Sequence, residues 1–469
     1  MTKPLPAVGE RLPGSPPTVA AVTISLLWFR RDLRLSDAPA LLAAAADGGE
    51  VLPVFVLDDT LRRPSGAARL AFLYGCLREL ERETGGALRV VTGRPEQVLP
   101  RLVADSGAQA VHVSADYGPY GRERDDRVQA ALGDVALVAT GSPYGVSPGT
   151  LRKGDGTAYR VFTPFSRSWR ERGVHTPAAR PDSVSWTDGG LPTEGVPAAP
   201  DVAGIDLPEP GERAGLARWQ HFLEAAAAGY DEGRNRPAED GTSRLSAYLK
   251  YGCLHPRTLH AALGTSDSEL RYGTELIWRD FYADVLWHVP GSAREDLTPA
   301  LRTLEYDDDA GHFDAWATGR TGFPIVDAGM RQLLGEGWMH NRLRMITASF
   351  LTKDLHQYWP RGARHFMHHL VDGDVASNAH GWQWVAGTGT DASPYFRVFN
   401  PVTQGLTHDP TGDYVRRWVP ELRAIPGKAV HSPWLLPELP AGYPARVVDH
   451  GQERTEALAR YAAARASRS

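Results

Sequence analysis

Four side chains at helical spacing carry the densest chemistry in this sequence. Glu275, Trp278, Arg279 and Tyr282 fall at i, i+3, i+4 and i+7 of ELIWRDFY. A helix there gathers an acid, a base and two aromatic rings on one face. Such a face either packs as a salt-bridged surface or stacks a planar ligand and presents a charge to it. A second cluster runs Tyr230-Asp231-Glu232-Gly233-Arg234-Asn235, then Gly241-Thr242-Ser243-Arg244-Leu245-Ser246. Glycine followed by hydroxyl residues ahead of a helix lets N–H and O–H groups converge on a phosphate at the positive end of the helix dipole. The same pattern also serves as a plain N-cap. A third cluster is Trp338-Met339-His340-Asn341-Arg342-Leu343-Arg344-Met345, and a fourth is Val371-Asp372-Gly373-Asp374-Val375-Ala376-Ser377-Asn378, followed by Gly381-Trp382-Gln383-Trp384. Two carboxylates without further oxygen or His partners make a poor metal site, so none is expected. Sugar hydroxyls and flavin edges call for acceptors of the same kind.

These residues need a scaffold, and its outline is readable. Short apolar runs at Thr23–Phe29, Val51–Leu57, Leu88–Thr92, Ala110–Ser114 and Val135–Ala139 alternate with amphipathic stretches such as Ala67–Arg82 and Arg122–Leu132. Strands separated by helices imply a parallel, five-stranded, Rossmann-like sheet with helices on both faces over residues 22–140. No GxGxxG follows the first strand. The segment there is Trp28-Phe29-Arg30-Arg31-Asp32-Leu33-Arg34-Leu35. Residues 141–212 are rich in Pro, Gly and Ser and read as an interdomain connector. From 213 to 469 the pattern is helical, with Leu216–Ala228, Ser246–Tyr251, Thr274–His288, Ile325–Leu334, Arg342–Leu355 and Gly362–Leu370 as helices. The expectation is an α/β domain followed by an all-α domain.

Composition narrows the classes further. The chain of 469 residues is long enough for two full cores. No apolar run reaches a membrane span. The first 21 residues lack an apolar h-region and read as a disordered tail. Only Cys76 and Cys253 are present, which excludes a disulfide framework and a four-cysteine cluster. A cytoplasmic monomer is expected. The net charge of −5 argues mildly against a nucleic-acid binder, but phosphate contacts depend on where the basic residues sit.

The order of the motifs is distinctive. WFRRDLRL, GTSRLS, ELIWRDFY, TGFPIVDAGMRQL, GWMHNRLRM, DGDVASN, GWQW and YFRVFNPVTQG run from about residue 24 to about residue 405. In that order and spacing the chain resembles the photolyase/cryptochrome family, and most closely its class I cyclobutane pyrimidine dimer photolyases. The resemblance implies a helical domain that holds FAD in a U-shaped conformation. Tyr230, Thr242, Ser243, Arg244, Leu245 and Ser246 then hold the phosphates, with Arg279 nearby. Asp372, Gly373 and Asp374 bind the flavin and its ribityl or adenine end, Arg344 pairs with Asp372, and Asn378 faces flavin N5. An Asn amide oxygen can serve a reduced N5–H. The family's plant sensors usually carry Asp there and its insect sensors Cys.

The same resemblance implies a substrate, UV-damaged DNA. Trp278 and Trp384 stack on the paired pyrimidines, Tyr282 shares the helical face of Trp278, and Asn341 and Met345 line the floor. Glu275 bonds the base edge and stabilises the radical anion. Arg234, Arg342, Arg397 and Gln404 contact phosphates and strand. Reduced anionic FAD passes an electron to the dimer after absorbing blue light, and the electron returns once the ring has split. Trp382 and Trp359 match the first two members of the tryptophan chain that recharges the flavin. The third position holds Tyr306, with Trp316 or Trp338 as alternative branches. An antenna pigment is implied in the sheet domain through Phe55–Asp58, Arg69 and Asp116, with Lys250 contributed by the helical part. The expectation is 8-hydroxy-5-deazaflavin, with methenyltetrahydrofolate the alternative and an empty site or a plain flavin also open. Gly118 departs from the acidic contact expected there. Two other readings stand beside repair of cyclobutane dimers: a blue-light-sensing cryptochrome, and a (6-4) photolyase that would place His residues in the pocket, where His340 and His380 lie nearby.

Overall fold

The computed structural model describes residues 23–46, 49–390 and 397–466, so the expected tail at 1–21 lies outside the described residues. Strands β1 (Ile24–Phe29), β2 (Glu50–Leu57), β3 (Arg89–Thr92), β4 (Ala110–Val113) and β5 (Ala136–Ala139) form one sheet. The order is β3-β2-β1-β4-β5, with every neighbouring pair parallel. The central strands are nearly continuous apolar runs because both faces are covered. Leu27, Phe29, Phe55 and Leu57 pack on one face with Phe72 and Leu77 of the helix Ala67–Glu83. Leu26, Trp28, Leu52 and Val54 pack on the other with Val98, Leu99 and Val128.

The connector is more ordered than its composition suggests. It contains a helix, Phe162–Arg172, whose Phe162, Phe165, Ser166 and Trp169 are buried at i, i+3, i+4 and i+7. Phe165 and Trp169 pack with Ile277 and Phe281 of the helical half. The chain then runs beside β2 and β3. Val51 N donates to Ser185 O at 2.8 Å, and Glu194 N to Val90 O at 2.9 Å. These bonds cover strand groups that would otherwise be open to pairing.

Asp280 pins the connector from the helical side. It accepts Val146 N–H at 2.9 Å and Trp169 Nε1–H at 3.0 Å. Burial pushes its carboxyl up to about 6, against the pull of Arg279 and of these donors. The folded protein therefore keeps this proton to higher pH than the unfolded chain. Its contribution to stability is full below about pH 4 and is lost as pH rises through about 6. Asp280→Asn removes the titration. The stability of wild type minus that of Asp280→Asn should fall across this window by roughly 3 kcal/mol at most, as read by melting at each pH.

The helix Asp267–His288 begins two turns before the expected Thr274. Ser266 and Glu269 form a reciprocal capping box that extends it. The helices Pro324–Glu336, Asn341–Ser349, Trp359–His369 and Val375–Ala386 surround a core containing Trp316, Trp359, Phe366 and Trp382. The stretch expected as one helix over Arg342–Leu355 passes from α to π geometry at Phe350. Among the described residues no helix is long and apolar enough to cross a membrane.

The segment after β1 joins the two halves. Leu33 N donates to Tyr251 O at 3.2 Å, and Arg34 Nη1 to Gly252 O at 2.9 Å. Asp37 holds Arg257 at 2.6 Å and Thr258 at 3.0 Å. Gly252 has φ +68°, and a Cβ there would lie 1.8 Å from Arg31 O. Glycine serves both needs at this position.

Candidate active site

Glu275, Trp278, Arg279 and Tyr282 share one helix but serve different neighbours. Glu275 Oε1 accepts from Arg234 Nη1 at 2.5 Å. Trp278 lies flat on Phe162, with ring centres 3.7 Å apart and planes 4° from parallel. Tyr282 stacks on His380 at 5.5 Å and leans on Trp278 at 5.3 Å. Arg279 donates to Pro143 O at 2.8 Å and Leu249 O at 3.2 Å and covers the Tyr144 ring at 4.6 Å. It braces the connector against the helix that follows the hydroxyl loop.

The patch continues from Arg234. Arg342 Nη2 donates to Asn235 Oδ1 at 2.5 Å, and its Nη1 lies 3.8 Å from Met345 Sδ. Burial and the nearby Arg234 push the Arg342 guanidinium below its usual value. Asn341 is exposed beside it, and Trp384 is half-buried against the same core as Met345. The helix Pro401–His408, which carries Gln404, borders the patch through His408 Nδ1, 3.1 Å from Asn235 O. Arg397 is exposed, and its carbonyl accepts from Lys353 Nζ. Asn235 and Phe162 carried no signal in the sequence beyond their neighbours, yet they set two of these side chains.

The hydroxyl loop is held from beneath. Arg218 donates to Thr242 O and Ser243 O, each at 2.9 Å, and pairs with Asp240 at 2.7 Å. Ser243 Oγ accepts from Tyr272 O–H at 3.0 Å, and Tyr272 meets Tyr230 edge-on at 5.1 Å. Arg244 takes φ +51°, reaches Glu336 at 3.3 Å and lies over Trp338 at 4.5 Å. Leu245 is buried, and Ser246 Oγ accepts from Trp338 Nε1–H at 3.2 Å. Arg218 sits on the helix Glu212–Ala225, too far along the chain for a local pattern to find it.

The acidic loop presents acceptors with unused capacity. Arg344 Nη2 donates to Asp372 Oδ2 at 2.7 Å, while the buried Asp372 Oδ1 has no partner among the described residues. Asn378 donates its Nδ2–H to Ala363 O at 3.0 Å, which leaves its Oδ1 as the acceptor it can offer. Gly373 is closely packed: a Cβ there would lie 3.2 Å from Met367 Sδ and 3.4 Å from Arg69 Nη1. Asp374 caps its helix through Ser377 N at 3.0 Å and pairs with Arg31 of the sheet half at 2.8 Å. Burial opposes ionisation of Asp374, but Arg31, Lys250 and Arg279 hold it well below the usual carboxylate range.

The residues expected around an antenna meet the same electrostatic cluster. Asp116 pairs with Arg124 at 3.2 Å. Burial raises its carboxyl, but Arg124, Arg30 and Arg31 outweigh burial and hold it at about 2. Asp58 accepts from Tyr120 O–H and caps a short helix through Thr60 N. Arg69 is buried with its Nε unpartnered among the described residues. Burial and Arg31 push Lys250 down to about 7.

The aromatic chain is also assembled. Trp382 is buried, and Gly362 makes room for it; a Cβ there would lie 2.2 Å from its Cη2. Trp359, on the helix that carries Gly362, donates Nε1–H to Asp296 Oδ1 at 2.7 Å. Tyr306 leans on Tyr358, with ring centres 4.8 Å apart and planes 42° from parallel, and Tyr358 meets Trp359 edge-on at 6.1 Å. Trp316 touches Trp382 edge-on at 6.0 Å but is fully buried.

The model of the DNA photolyase family matches residues 25–182, and that of the FAD binding domain of DNA photolyase matches residues 272–463. The chain belongs to the DNA photolyase family. A deoxyribodipyrimidine photo-lyase of Agrobacterium fabrum is 40% identical over 93% of this chain and 97% of its own length. One from Streptomyces griseus is 42% identical over 92% of this chain and 98% of its own. A crystal structure of a class III photolyase from Agrobacterium tumefaciens superposes with a TM-score of 0.89 at 38% identity, over 95% of this chain and 99% of that one. An archaeal photolyase from Sulfolobus tokodaii, solved with two FAD molecules, gives 0.83 at 29% identity over 94% and 100%.

The two histidines near the pocket are buried and each is hydrogen-bonded within the helical half. His340 is buried and caps its helix by accepting from Arg342 N at 3.1 Å. His380 is buried between Ala376 O at 2.9 Å and Ser292 Oγ at 3.0 Å. Burial holds both below the ordinary histidine value, at about 3 and about 4. Neither is placed as a charged pocket acid.

Proposed function

We propose that this protein repairs cyclobutane pyrimidine dimers in DNA with light absorbed at a bound, reduced FAD. The observation that carries the reading is the orientation of Asn378. Its amide nitrogen is tied to Ala363 O, so an oxygen is offered to a donor in the site. The unpartnered Asp372 Oδ1 supports the same ligand, because a flavin ring brings N–H donors and a carboxylate with spare lone pairs suits one. When bound, reduced FAD supplies an excited-state electron.

The chain's own residues do the rest. Tyr230, Thr242, Ser243, Arg244, Leu245 and Ser246 hold the phosphates, and Arg218 keeps that loop in shape. Arg344 fixes Asp372, and Asp374 ties the loop to the sheet half. Photolyases act on a nucleotide pair extruded from the duplex, at a cost of a few kcal/mol that is smaller for a damaged pair. Trp278 and Trp384 stack the extruded pair, with Tyr282 behind Trp278 and with Asn341 and Met345 below. Glu275 faces the base edge with the oxygen not held by Arg234. Arg234, Arg342, Arg397 and Gln404 meet the strand. No side chain acts as nucleophile or transfers a group. The protein acts as a cytoplasmic monomer.

The test is illumination of the reduced protein with an oligonucleotide that contains a thymine dimer. Thymine is regenerated in blue light and not in the dark. Failure with normal flavin photoreduction overturns the reading, and repair of a (6-4) lesion instead reassigns the substrate.

Phe55–Asp58, Arg69, Asp116 and Lys250 hold an antenna, 8-hydroxy-5-deazaflavin in preference to methenyltetrahydrofolate. That the Sulfolobus relative was solved with two FAD molecules supports room for a second pigment. Lys250 is charged below about pH 7 and loses its charge above it. Binding of the anionic deazaflavin should therefore weaken as pH rises from 6 to 8. Fluorescence titration reads this, and in Lys250→Ala the dependence should flatten.

A further inference from the structure

We propose that Tyr358, rather than Tyr306, is the terminal electron donor of the aromatic chain that recharges the flavin. The proposal rests on the reading of the site as a photoreducible flavin centre. Trp382 and Trp359 sit on helices packed directly against each other, since the Gly362 backbone abuts the Trp382 ring. From Trp359 the next aromatic neighbour along this route is Tyr358, with ring centres 6.1 Å apart, and Tyr306 lies one step further at 4.8 Å from Tyr358.

The two tyrosines differ in what they can do with a proton. A phenol is neutral at ordinary pH and must release its proton when it is oxidised. The Tyr306 hydroxyl is buried and has no hydrogen-bond partner among the described residues. Burial and Asp296 raise the pKa of both phenols, with Tyr358 adding to the effect at Tyr306 and Glu295 at Tyr358, so order along the chain and exposure separate the two. Tyr358 is 36% exposed and Tyr306 less so, which makes Tyr358 the member of the pair nearer to water. The Asp296 carboxylate at the Trp359 nitrogen favours positive charge on that ring while Tyr358 responds. Trp316 offers no exit. It is fully buried, its N–H is tied to Thr347 O at 2.9 Å, and its outward ring neighbours are His365 at 5.3 Å and Phe313 at 5.6 Å, neither of them a phenol or an indole.

The steps balance. Trp382 would give one electron to the bound flavin per photon absorbed, so two turns of the chain would carry an oxidised flavin to the reduced state. Trp359 refills Trp382, and Tyr358 refills Trp359. Tyr358 loses its hydroxyl proton to solvent and is left as a neutral phenoxyl radical. A thiol reductant in the medium then delivers one electron and one proton to that oxygen and leaves as a thiyl radical.

The test is electron paramagnetic resonance of the illuminated holoprotein without added thiol. Wild type should give a tyrosyl signal that Tyr306→Phe keeps and Tyr358→Phe loses. Tyr358→Trp should replace it with a tryptophanyl signal, which also guards against a fold defect in the phenylalanine variant. A nitroso spin trap should mark Tyr358 on peptide mapping. A tyrosyl signal that survives Tyr358→Phe and vanishes in Tyr306→Phe overturns the proposal. Absence of any aromatic radical in wild type also overturns it; dimer repair by chemically reduced protein is measured separately and reports on the repair reading alone.

Discussion

Asp372→Ala is expected to purify as a folded protein without flavin. The Asp372 carboxylate is nearly fully buried and is held by Arg344 at 2.7 Å. Removing one partner of a buried pair leaves the other charge uncompensated, at a cost of about 3–5 kcal/mol. Arg344 is a quarter exposed and can turn toward water, so the fold should absorb much of that cost. The ligand loses more. It forfeits the acceptor at Oδ1, and the loop that carries Gly373 and Asp374 loses its anchor. Asp372→Asn keeps the volume and one acceptor and should retain part of the flavin. The absorbance ratio of flavin to protein in the purified variants measures this, with circular dichroism to report the fold. A full flavin complement in Asp372→Ala removes this residue from the cofactor site.

Glu275→Ala is expected to keep its flavin and to repair poorly. The proposed reading places Glu275 at the base edge rather than on the cofactor, and its Oε1 restrains Arg234. A hydrogen bond to a charged group contributes about 1.5–3 kcal/mol, which corresponds to roughly ten- to hundredfold in the rate of ring opening. Because ring opening competes with return of the electron, the loss appears in quantum yield. There is a second signature. Arg234 is released from its carboxylate, so binding to undamaged duplex should gain about one phosphate contact and a correspondingly steeper salt dependence. A retained quantum yield with an unchanged salt slope would show that Glu275 serves only to position Arg234.

What could be read before the structure depends on how local the cause was. The sheet was legible because strands covered on both faces need unbroken apolar runs, and each expected strand is present to within a residue or two. The Glu275–Tyr282 face was legible because helical periodicity places those residues whatever surrounds them. What surrounds them was not. Asn235 meets Arg342 across 107 positions, and Phe162 meets Trp278 from inside a stretch dominated by Pro and Gly. The helix Phe162–Arg172 was hidden because its apolar face is short and its stability comes from packing on Ile277 and Phe281. The family resemblance named Tyr306 as a relay member, but its unpartnered hydroxyl and the exposure of Tyr358 are tertiary facts. No spacing rule contains them.

If the sheet half holds an antenna, as proposed, the seam after β1 has an optical consequence. Gly252 lies against the Arg31 carbonyl with no room for a Cβ, and Arg34, Asp37, Arg257 and Thr258 bond across the same line. Resonance transfer of excitation between two pigments falls steeply with their separation and depends on the angle between their transition dipoles. A hinge at this line would let both quantities wander, and the captured photon would often be emitted before it arrived. A backbone-to-backbone contact with ion pairs on either side acts instead as a rigid mount. With an antenna in the sheet half, as proposed, the segment after β1 would fix how efficiently one half of the molecule lights the other.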